Sequence, residues 1–186
     1  MRRRAILVLA VAAVVVLTLG APALARRIAA PPLEFRAGAR TAGWTLTLQG
    51  KTTKVLPISQ VPASATWDGT KAGNINPTLR YVYKGQLLYK LVGMVDDNKA
   101  GFNVALARKG YTIQFFCLDG YKPQFSSKVL FKSGKLRTDL IVAKLKAGQL
   151  LPAGEAPFRF VGGPPVTQPF NNKLAAYKVF KIRLVF

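Results

Sequence analysis

The stretch that decides the fold is YKVFKIRLVF, residues 177–186, in which apolar and basic side chains alternate. Successive side chains of an extended strand point to opposite faces. Lys181 and Arg183 would then share one face. The even-numbered apolar side chains would share the other: Phe180, Ile182, Leu184 and Phe186. The pattern predicts a strand with one buried face.

Similar patterns occur upstream. Residues 44–50, WTLTLQG, alternate in the same way, and Gly50-Lys51 forms a turn before a second strand at 53–56. Further strands are predicted at residues 80–83, 104–107, 112–118, around Phe125, 139–145 and 158–161. Residues 57–76 are rich in Pro, Ser, Gly and Asn and predict an irregular segment.

One helix is predicted, and Gly85 opens it. Its apolar residues recur at helical spacing: Leu87, Leu88, Leu91, Val92 and Val95. Asp96-Asp97-Asn98 ends it and caps a turn. One helix among about eight strands predicts an α+β class, a β-dominated mixed sheet or barrel-like domain with few helices.

The N-terminal segment predicts export. Arg2-Arg3-Arg4 is basic, residues 5–19 are apolar or small apart from Thr18, and Ala23-Leu24-Ala25 is a small-x-small cleavage signal. This order is typical of a secretory signal peptide over residues 1–25. The apolar run is shorter than the roughly 20 residues of a spanning helix, which disfavours the alternative of an uncleaved anchor. A flexible basic, Pro-rich tether at 26–42 and a domain at 43–186 follow, so the protein is expected in the periplasm, at the cell surface or secreted.

The charge indicates anionic partners. The chain has 28 Lys and Arg against 7 Asp and Glu, a formal net charge of +21. Such a field concentrates anions near the surface. The candidates are an anionic small molecule such as a phosphorylated cofactor, and a polyanion or lipid of the cell envelope. The alternative is adaptation to the surroundings without a defined ligand. Export, and the lack of an aromatic–basic repeat, argue against nucleic acid.

Cysteine and histidine usage excludes several chemistries. Cys117 is the only cysteine, so no intramolecular disulfide forms, and histidine is absent. This removes a Ser-His-Asp triad, a Cys-His pair and histidine-ligated zinc or iron. If the protein is an enzyme, a bound cofactor must supply the chemistry.

Five segments in order carry a family resemblance. Residues 83–92, YKGQLLYKLV, resemble the "aromatic-x-G-x-x-L-x-x-L" element of the oxidoreductase molybdopterin-binding domain, the sulfite-oxidase-like fold. The other four are similar to that family's Asp-Gly-Tyr element, hairpin, "G-x-P-x-R-x-V" strand and closing strand. They are LDGY (118–121), DLIVA with GQLLP (139–152), GEAPFRFV (154–161) and YKVFKIRL (177–184).

The resemblance implies an α+β fold with a pocket that holds a molybdenum cofactor through pterin and phosphate contacts. The family's enzymes bind molybdenum through a cysteine upstream of the aromatic-x-Gly element, in a Cys-x-Gly-Asn-like context. The corresponding residues 57–76 contain no cysteine here, although Gly73-Asn74 remains. The family's histidine and arginine cluster has no match either, which indicates a reduced relative without the catalytic ligand.

The candidate cofactor-binding residues are Asp119, Gly120, Tyr121 and Arg159. Through the resemblance, the first three are expected at the mouth of the pocket; the alternative is a structural turn. Arg159, between Phe158 and Phe160, is a candidate bidentate phosphate ligand, or else a solvated charge.

Other candidates are weaker. Lys122, Lys178 and Lys181 are additional anion ligands, and residues 67–69 form a lid or a turn. Cys117 is a small buried residue or, alternatively, a thiolate metal ligand or redox thiol.

Three functions follow from these expectations. The first is an exported sulfite-oxidase-like domain that binds molybdopterin or another anionic ligand in its place. The second is a non-catalytic basic adhesion or scaffold module at the cell envelope. The third is a molybdoenzyme that uses Cys117 as its metal ligand, with an electron partner that the sequence does not identify.

Overall fold

The structure, a computed structural model, describes residues 43–71, 79–163 and 175–186. The expected signal peptide and tether, and Gly73-Asn74, lie outside the described residues. The strands within them are β1 (Thr45–Gln49), β2 (Thr53–Pro57), β3 (Ala65–Asp68), β4 (Val82–Leu87), β5 (Thr112–Cys117), β6 (Gln124–Ser126), β7 (Phe131–Lys132), β8 (Lys135–Leu136), β9 (Leu140–Lys146), β10 (Gln149–Leu150), β11 (Phe158–Gly162) and β12 (Ala176–Val185). The helices are α1 (Leu88–Val92) and α2 (Val104–Lys109), with short 3-10 turns at Ile58–Gln60 and Ser127–Leu130.

Ten of these strands form one curved mixed sheet, and β7 and β8 form a separate pair. The main path runs β2-β1-β12-β11-β9-β4-β3, with β10 beside β9 and with β5 and β6 beyond β12. The β1–β12 pair is parallel, and the other pairs are antiparallel. The prediction of a β-dominated domain with few helices is confirmed.

The long strand β12 connects the sheet. It pairs with β1 on Thr47↔Lys181 and with β5 on Lys181↔Phe116, and its first half pairs with β11. Its register with β5 shifts between Val179 and Lys181. The strand predicted from the alternation of residues 177–186 is therefore present, with a bulge near its start.

The sheet separates two hydrophobic clusters, because its central strands are buried on both faces. On β9, Leu140 and Val142 belong to a large cluster with α1, α2, β1, β5 and the inner face of β12. Ile141 and Ala143 belong to a smaller cluster with β3 and β4. This explains why β9 reads as a continuous apolar run rather than an alternating one.

The predicted helix is wrong in its bounds. Gly85 does not open it but lies inside β4, paired with Ala65 of β3 and Ala143 of β9. Pairing on both sides outweighs the helical periodicity of the sequence, so α1 retains only Leu88–Val92. Those five residues still place Leu88, Leu91 and Val92 in the large cluster.

Two other predictions are corrected. The expected strand at 104–107 is the helix α2, because the Asn103 side chain accepts a hydrogen bond from the Leu106 amide and caps it. The segment expected to be irregular contains β3, whose Ala65 and Trp67 are buried. No helix in the part of the chain that the structure describes has the length and apolar character required to cross a membrane.

Asp96 and Asp97 follow α1 in contrasting environments. Asp96 is fully buried; its Oδ2 accepts a hydrogen bond from the Asn103 amide, while Oδ1 has no hydrogen-bond partner among the described residues. Burial raises the pKa of Asp96. Hydrogen bonds from the Lys99 amide and the Asn103 side chain lower the pKa of Asp97.

We expect these two carboxyls to have opposite effects on stability as the pH rises. Because the pKa of Asp96 is higher in the folded than in the unfolded protein, the folded state loses stability as the pH rises from the unfolded pKa to the folded pKa. Asp96→Asn should therefore gain stability relative to the wild type from pH 3 to pH 7. Because the pKa of Asp97 is lower in the folded than in the unfolded protein, Asp97 stabilises the fold at pH values above its unfolded pKa, and this contribution disappears as the pH falls. Asp97→Asn should therefore be less stable than the wild type at pH 7 but not at pH 3. Urea unfolding at several pH values measures how the stability difference between each variant and the wild type changes with pH. Changes of the same sign for the two variants would contradict this assignment.

Candidate functional site

Arg159 on β11 lies at the centre of a buried charge cluster. Its side chain is fully buried, so it is not a solvated charge. Its Nη1 donates hydrogen bonds to the Tyr83 hydroxyl and to Glu155 Oε2 (2.6 Å), and its Nη2 donates to the Tyr177 hydroxyl (2.7 Å). The guanidinium carbon also lies 4.0 Å from the centre of the Tyr177 ring. Arg159 is thus held in place by a carboxylate and two tyrosines.

The cluster contains a second cation, Lys146 on β9. Its Nζ lies 2.6 Å from Glu155 Oε1 and 3.9 Å from the centre of the Tyr81 ring. Glu155 therefore contacts two positive charges at once, Lys146 through Oε1 and Arg159 through Oε2. We call Lys146, Glu155, Arg159, Tyr83 and Tyr177 the Arg159 cluster. Burial raises the pKa of the Tyr83 phenol, which keeps that hydroxyl protonated.

Residues 118–121 form an exposed turn after β5, as the alternative interpretation of Asp119-Gly120-Tyr121 expects. Asp119 Oδ1 accepts a hydrogen bond from the Tyr121 amide (3.1 Å), and Gly120 has a φ of 85°, which glycine adopts without strain. The side chains of Leu118 and Tyr121 are 60% and 52% exposed. The turn thus presents a phenol and an aliphatic side chain to solvent.

Lys178 connects this turn to the Arg159 cluster. Its amide donates to the carbonyl of Glu155 (2.9 Å), and its carbonyl accepts from the amide of Leu118 (3.0 Å). Its φ is 55°, a left-handed conformation that costs a non-glycine residue about 1–3 kcal/mol. Lys178 follows Tyr177 directly in the chain. The bulge in β12 thus places a strained lysine between the exposed turn and the buried arginine.

The environment of Cys117 does not suit a metal thiolate. The residue lies at the end of β5, is 4% exposed and belongs to the large cluster. Burial, with a smaller contribution from Asp119, raises the pKa of its thiol to about 11. The thiol therefore remains protonated at neutral pH, and only the thiolate ligates metal or attacks electrophiles.

Residues 67–69 end strand β3 and begin the turn after it, beside a pocket of about 290 Å³. Trp67 Nε1 donates to the Gly163 carbonyl (3.3 Å), and the Gly69 amide donates to the Tyr81 carbonyl (3.0 Å). The described residues that line the pocket are Thr66, Trp67, Asp68, Gly69, Lys71, Thr138, Asp139 and Gly163. Part of this lining belongs to the region where the resemblance places the metal-binding cysteine.

Two ionised carboxylates line this pocket. Hydrogen bonds from Thr70 lower the pKa of Asp68, and the ion pair with Arg137 lowers the pKa of Asp139. Their negative charges repel the phosphate of an anionic cofactor. Among the described residues, no three Cys, Asp or Glu side chains come together as metal ligands.

Lys122 and Lys181 both lie close to one aromatic ring. Their Nζ atoms are 5.7 Å and 4.8 Å from the centre of the Phe116 ring on β5. The structure therefore divides the predicted anion ligands into two groups. Lys178 lies beside the turn and Arg159 lies behind it, while Lys122 and Lys181 lie at Phe116.

Sequence reasoning missed Lys146, Glu155, Tyr83 and Tyr177. They come from four separate segments, and a lysine or tyrosine on a strand has no pattern of its own that marks it as buried. A partial signal was present for Arg159, because its neighbours Phe158 and Phe160 predict a strand covered on one face. No family model and no curated protein matches the chain.

Proposed function

We propose that this chain is an exported binding domain of the sulfite-oxidase-like type, which takes a small anionic ligand and performs no molybdenum chemistry. The observation that carries the proposal is the Arg159 cluster, in which the buried guanidinium of Arg159 and the ammonium of Lys146 contact the two carboxylate oxygens of Glu155. The backbone of Lys178 joins Glu155 to the exposed turn. A positive charge with little access to water is stabilised by a nearby anion, because screening there is weak.

The ligand would bind at the turn formed by residues 118–121. Lys178 is hydrogen-bonded to it through its backbone carbonyl, and Tyr121 supplies an exposed side chain. The strained conformation of Lys178 supports this location, since such conformations cluster at functional sites. A phosphorylated small molecule, such as a molybdopterin-type compound without its metal, has matching chemistry.

The residues do not fit a thiolate-bound molybdenum. The one thiol of the chain, Cys117, is buried and protonated at neutral pH. The pocket beside Trp67 is lined by two carboxylates, Asp68 and Asp139, against one cation, Lys71, which is a poor match for an anionic cofactor. We therefore derive no redox step, and the use of Cys117 as a metal ligand has no support in this geometry.

We expect salt-resistant binding of a small phosphorylated ligand. Protein expressed from the full chain is titrated with a monophosphorylated pterin, and in parallel with inorganic phosphate, at 0.1 M and 0.5 M salt. Long-range attraction weakens as the Debye length falls below about 10 Å, whereas contacts within a site persist. Saturable binding at 0.5 M salt is expected for at least one probe.

Lys178→Asn should weaken this binding about fivefold or more, since it removes one charged contact and asparagine tolerates a positive φ. The matched control is Lys135→Asn, in the separate β7–β8 pair, with less than a twofold effect. Equal losses in both variants, or no saturable binding of either probe, would refute the proposal.

Export is tested separately. The intact mass of the exported protein should be that of a chain that begins at Arg26.

A non-catalytic adhesion module is the second candidate, and one observation favours it. Strands β1, β2, β5, β6 and β12 contain no Asp or Glu, although they carry exposed basic residues. A broad acid-free surface suits an extended polyanion better than a small ligand.

A further inference from the structure

The outward side of β2-β1-β12-β5-β6 is a face of mainly polar and basic side chains. The inward side chains of these strands, such as Leu48, Ile113 and Ile182, are buried in the large cluster. Side chains alternate along a strand, so the residues between them point outward. Cross-strand pairing gives two rows on this face. The first contains Val55, Thr47, Lys181 and Phe116, and the second contains Thr53, Gln49, Arg183, Gln114 and Gln124.

The charge on this face is of one sign. Lys181 and Arg183 are two residues apart on β12, about 6.6 Å at the usual rise per residue. Lys122 approaches the same face at the Phe116 ring. With no carboxylate in the five strands, these cations have no acidic partner within the face.

The remaining side chains are hydrogen-bonding groups. Thr47 and Gln114 provide a hydroxyl and an amide beside the cations, and Gln114 donates a hydrogen bond to Gln124. Five strands at about 4.8 Å spacing make the face about 19 Å wide. A linear partner that carries both hydroxyl and anionic groups would match this arrangement along its length.

We propose that this face, named the open face, binds a linear anionic polysaccharide. Sulfate, phosphate or carboxylate groups of the polymer would contact Lys181, Arg183 and Lys122. Sugar hydroxyls would contact the Thr and Gln side chains. The proposal deepens the adhesion function and does not depend on the small-ligand site at residues 118–121.

Single-stranded nucleic acid fits the same face less well. Proteins that bind it stack successive bases on several exposed aromatic rings. Phe116 is the one aromatic side chain in the two outward rows, and two lysine ammonium groups already lie against it. The threonines and glutamines that fill the rest of the rows suit hydroxyl groups rather than base faces.

The test measures binding of a heparin decasaccharide at 0.1–0.3 M salt. The double variant Lys181→Gln/Arg183→Gln should weaken binding on the order of tenfold and reduce its salt dependence. The control Lys132→Gln/Lys135→Gln removes the same charge from β7 and β8, and should change binding less than threefold. Unfolding curves of both variants confirm that they remain folded.

Two further probes separate the alternatives. The first probe is a (dT)10 oligonucleotide. If it binds the wild type more tightly than heparin does, and binds Phe116→Leu more weakly than the wild type, the face belongs to nucleic acid and the proposal is overturned. Binding to phosphatidylglycerol vesicles but not to heparin would also overturn it, as would equal losses in the two double variants. Lys178→Asn should leave heparin binding within threefold of wild type. The proposal for the open face and the proposal for the small-ligand site can therefore be refuted independently.

Discussion

Arg159→Met is expected to lower the free energy of unfolding by about 3–5 kcal/mol. The substitution leaves Glu155 with one cation and removes the hydrogen-bond donor of the Tyr83 and Tyr177 hydroxyls. Removing one member of a buried ion pair costs far more than removing a surface charge, because the remaining carboxylate stays in surroundings with little water. Urea unfolding monitored by tryptophan fluorescence measures the change.

A double-mutant cycle tests the cause. Glu155→Gln should also destabilise the protein, and Arg159→Met/Glu155→Gln should be more stable than the sum of the two effects predicts. Arg108→Met is the control, since Arg108 is exposed and contacts the Gly134 carbonyl and the Phe131 ring. Its effect should stay below about 1 kcal/mol. Additive effects in the cycle would show that Arg159 and Glu155 do not interact in the folded protein.

The second large effect is expected at Gly85. A Cβ atom there would overlap the Val142 carbonyl oxygen and lie 2.5 Å from the Ala143 Cα. Both atoms belong to the backbone of β9, so relief requires β4 and β9 to separate. Gly85→Ala should therefore destabilise the protein by about 3 kcal/mol or more, the upper range for overpacking.

Gly154→Ala is the matched control. Gly154 precedes Glu155 in a turn, and a Cβ there meets no atom within 4 Å. Its substitution should be neutral or stabilise by up to about 1 kcal/mol, since alanine restricts the unfolded chain. If the free energy of unfolding of Gly85→Ala lies within about 1 kcal/mol of the wild-type value, the close approach of β4 to β9 is wrong.

Much of the sheet could be predicted because its strands have simple patterns. The alternation of residues 44–50 and 177–186, and the apolar run of 139–145, mark three of its members within about one residue. The β4–α1 boundary could not be read in the same way. Val82–Leu87 is buried by strands on both sides, and its place in the sheet depends on β9, which lies more than fifty residues later in the chain.

The candidate site was predictable only in part. The residue types of Asp119-Gly120-Tyr121 are enough to predict a turn, and the structure has that turn. The burial of Arg159 depends on Tyr83, Lys146 and Tyr177, which the fold brings together from distant positions. No local pattern distinguishes a lysine that pairs with a buried glutamate from one that faces water. The resemblance to the molybdopterin-binding family stays a prediction.

The position of β12 in the chain affects when the sheet can form. Strands β1, β5 and β11 all pair with β12, which comes last among the described strands. While the chain is being synthesised, the peptide groups that these three strands direct toward β12 have no partner until residues 176–185 emerge. These pairings therefore form only after residues 176–185 are available. This order of assembly would suit the export that residues 1–25 predict, because a chain whose sheet is still open can pass in extended form through a narrow channel.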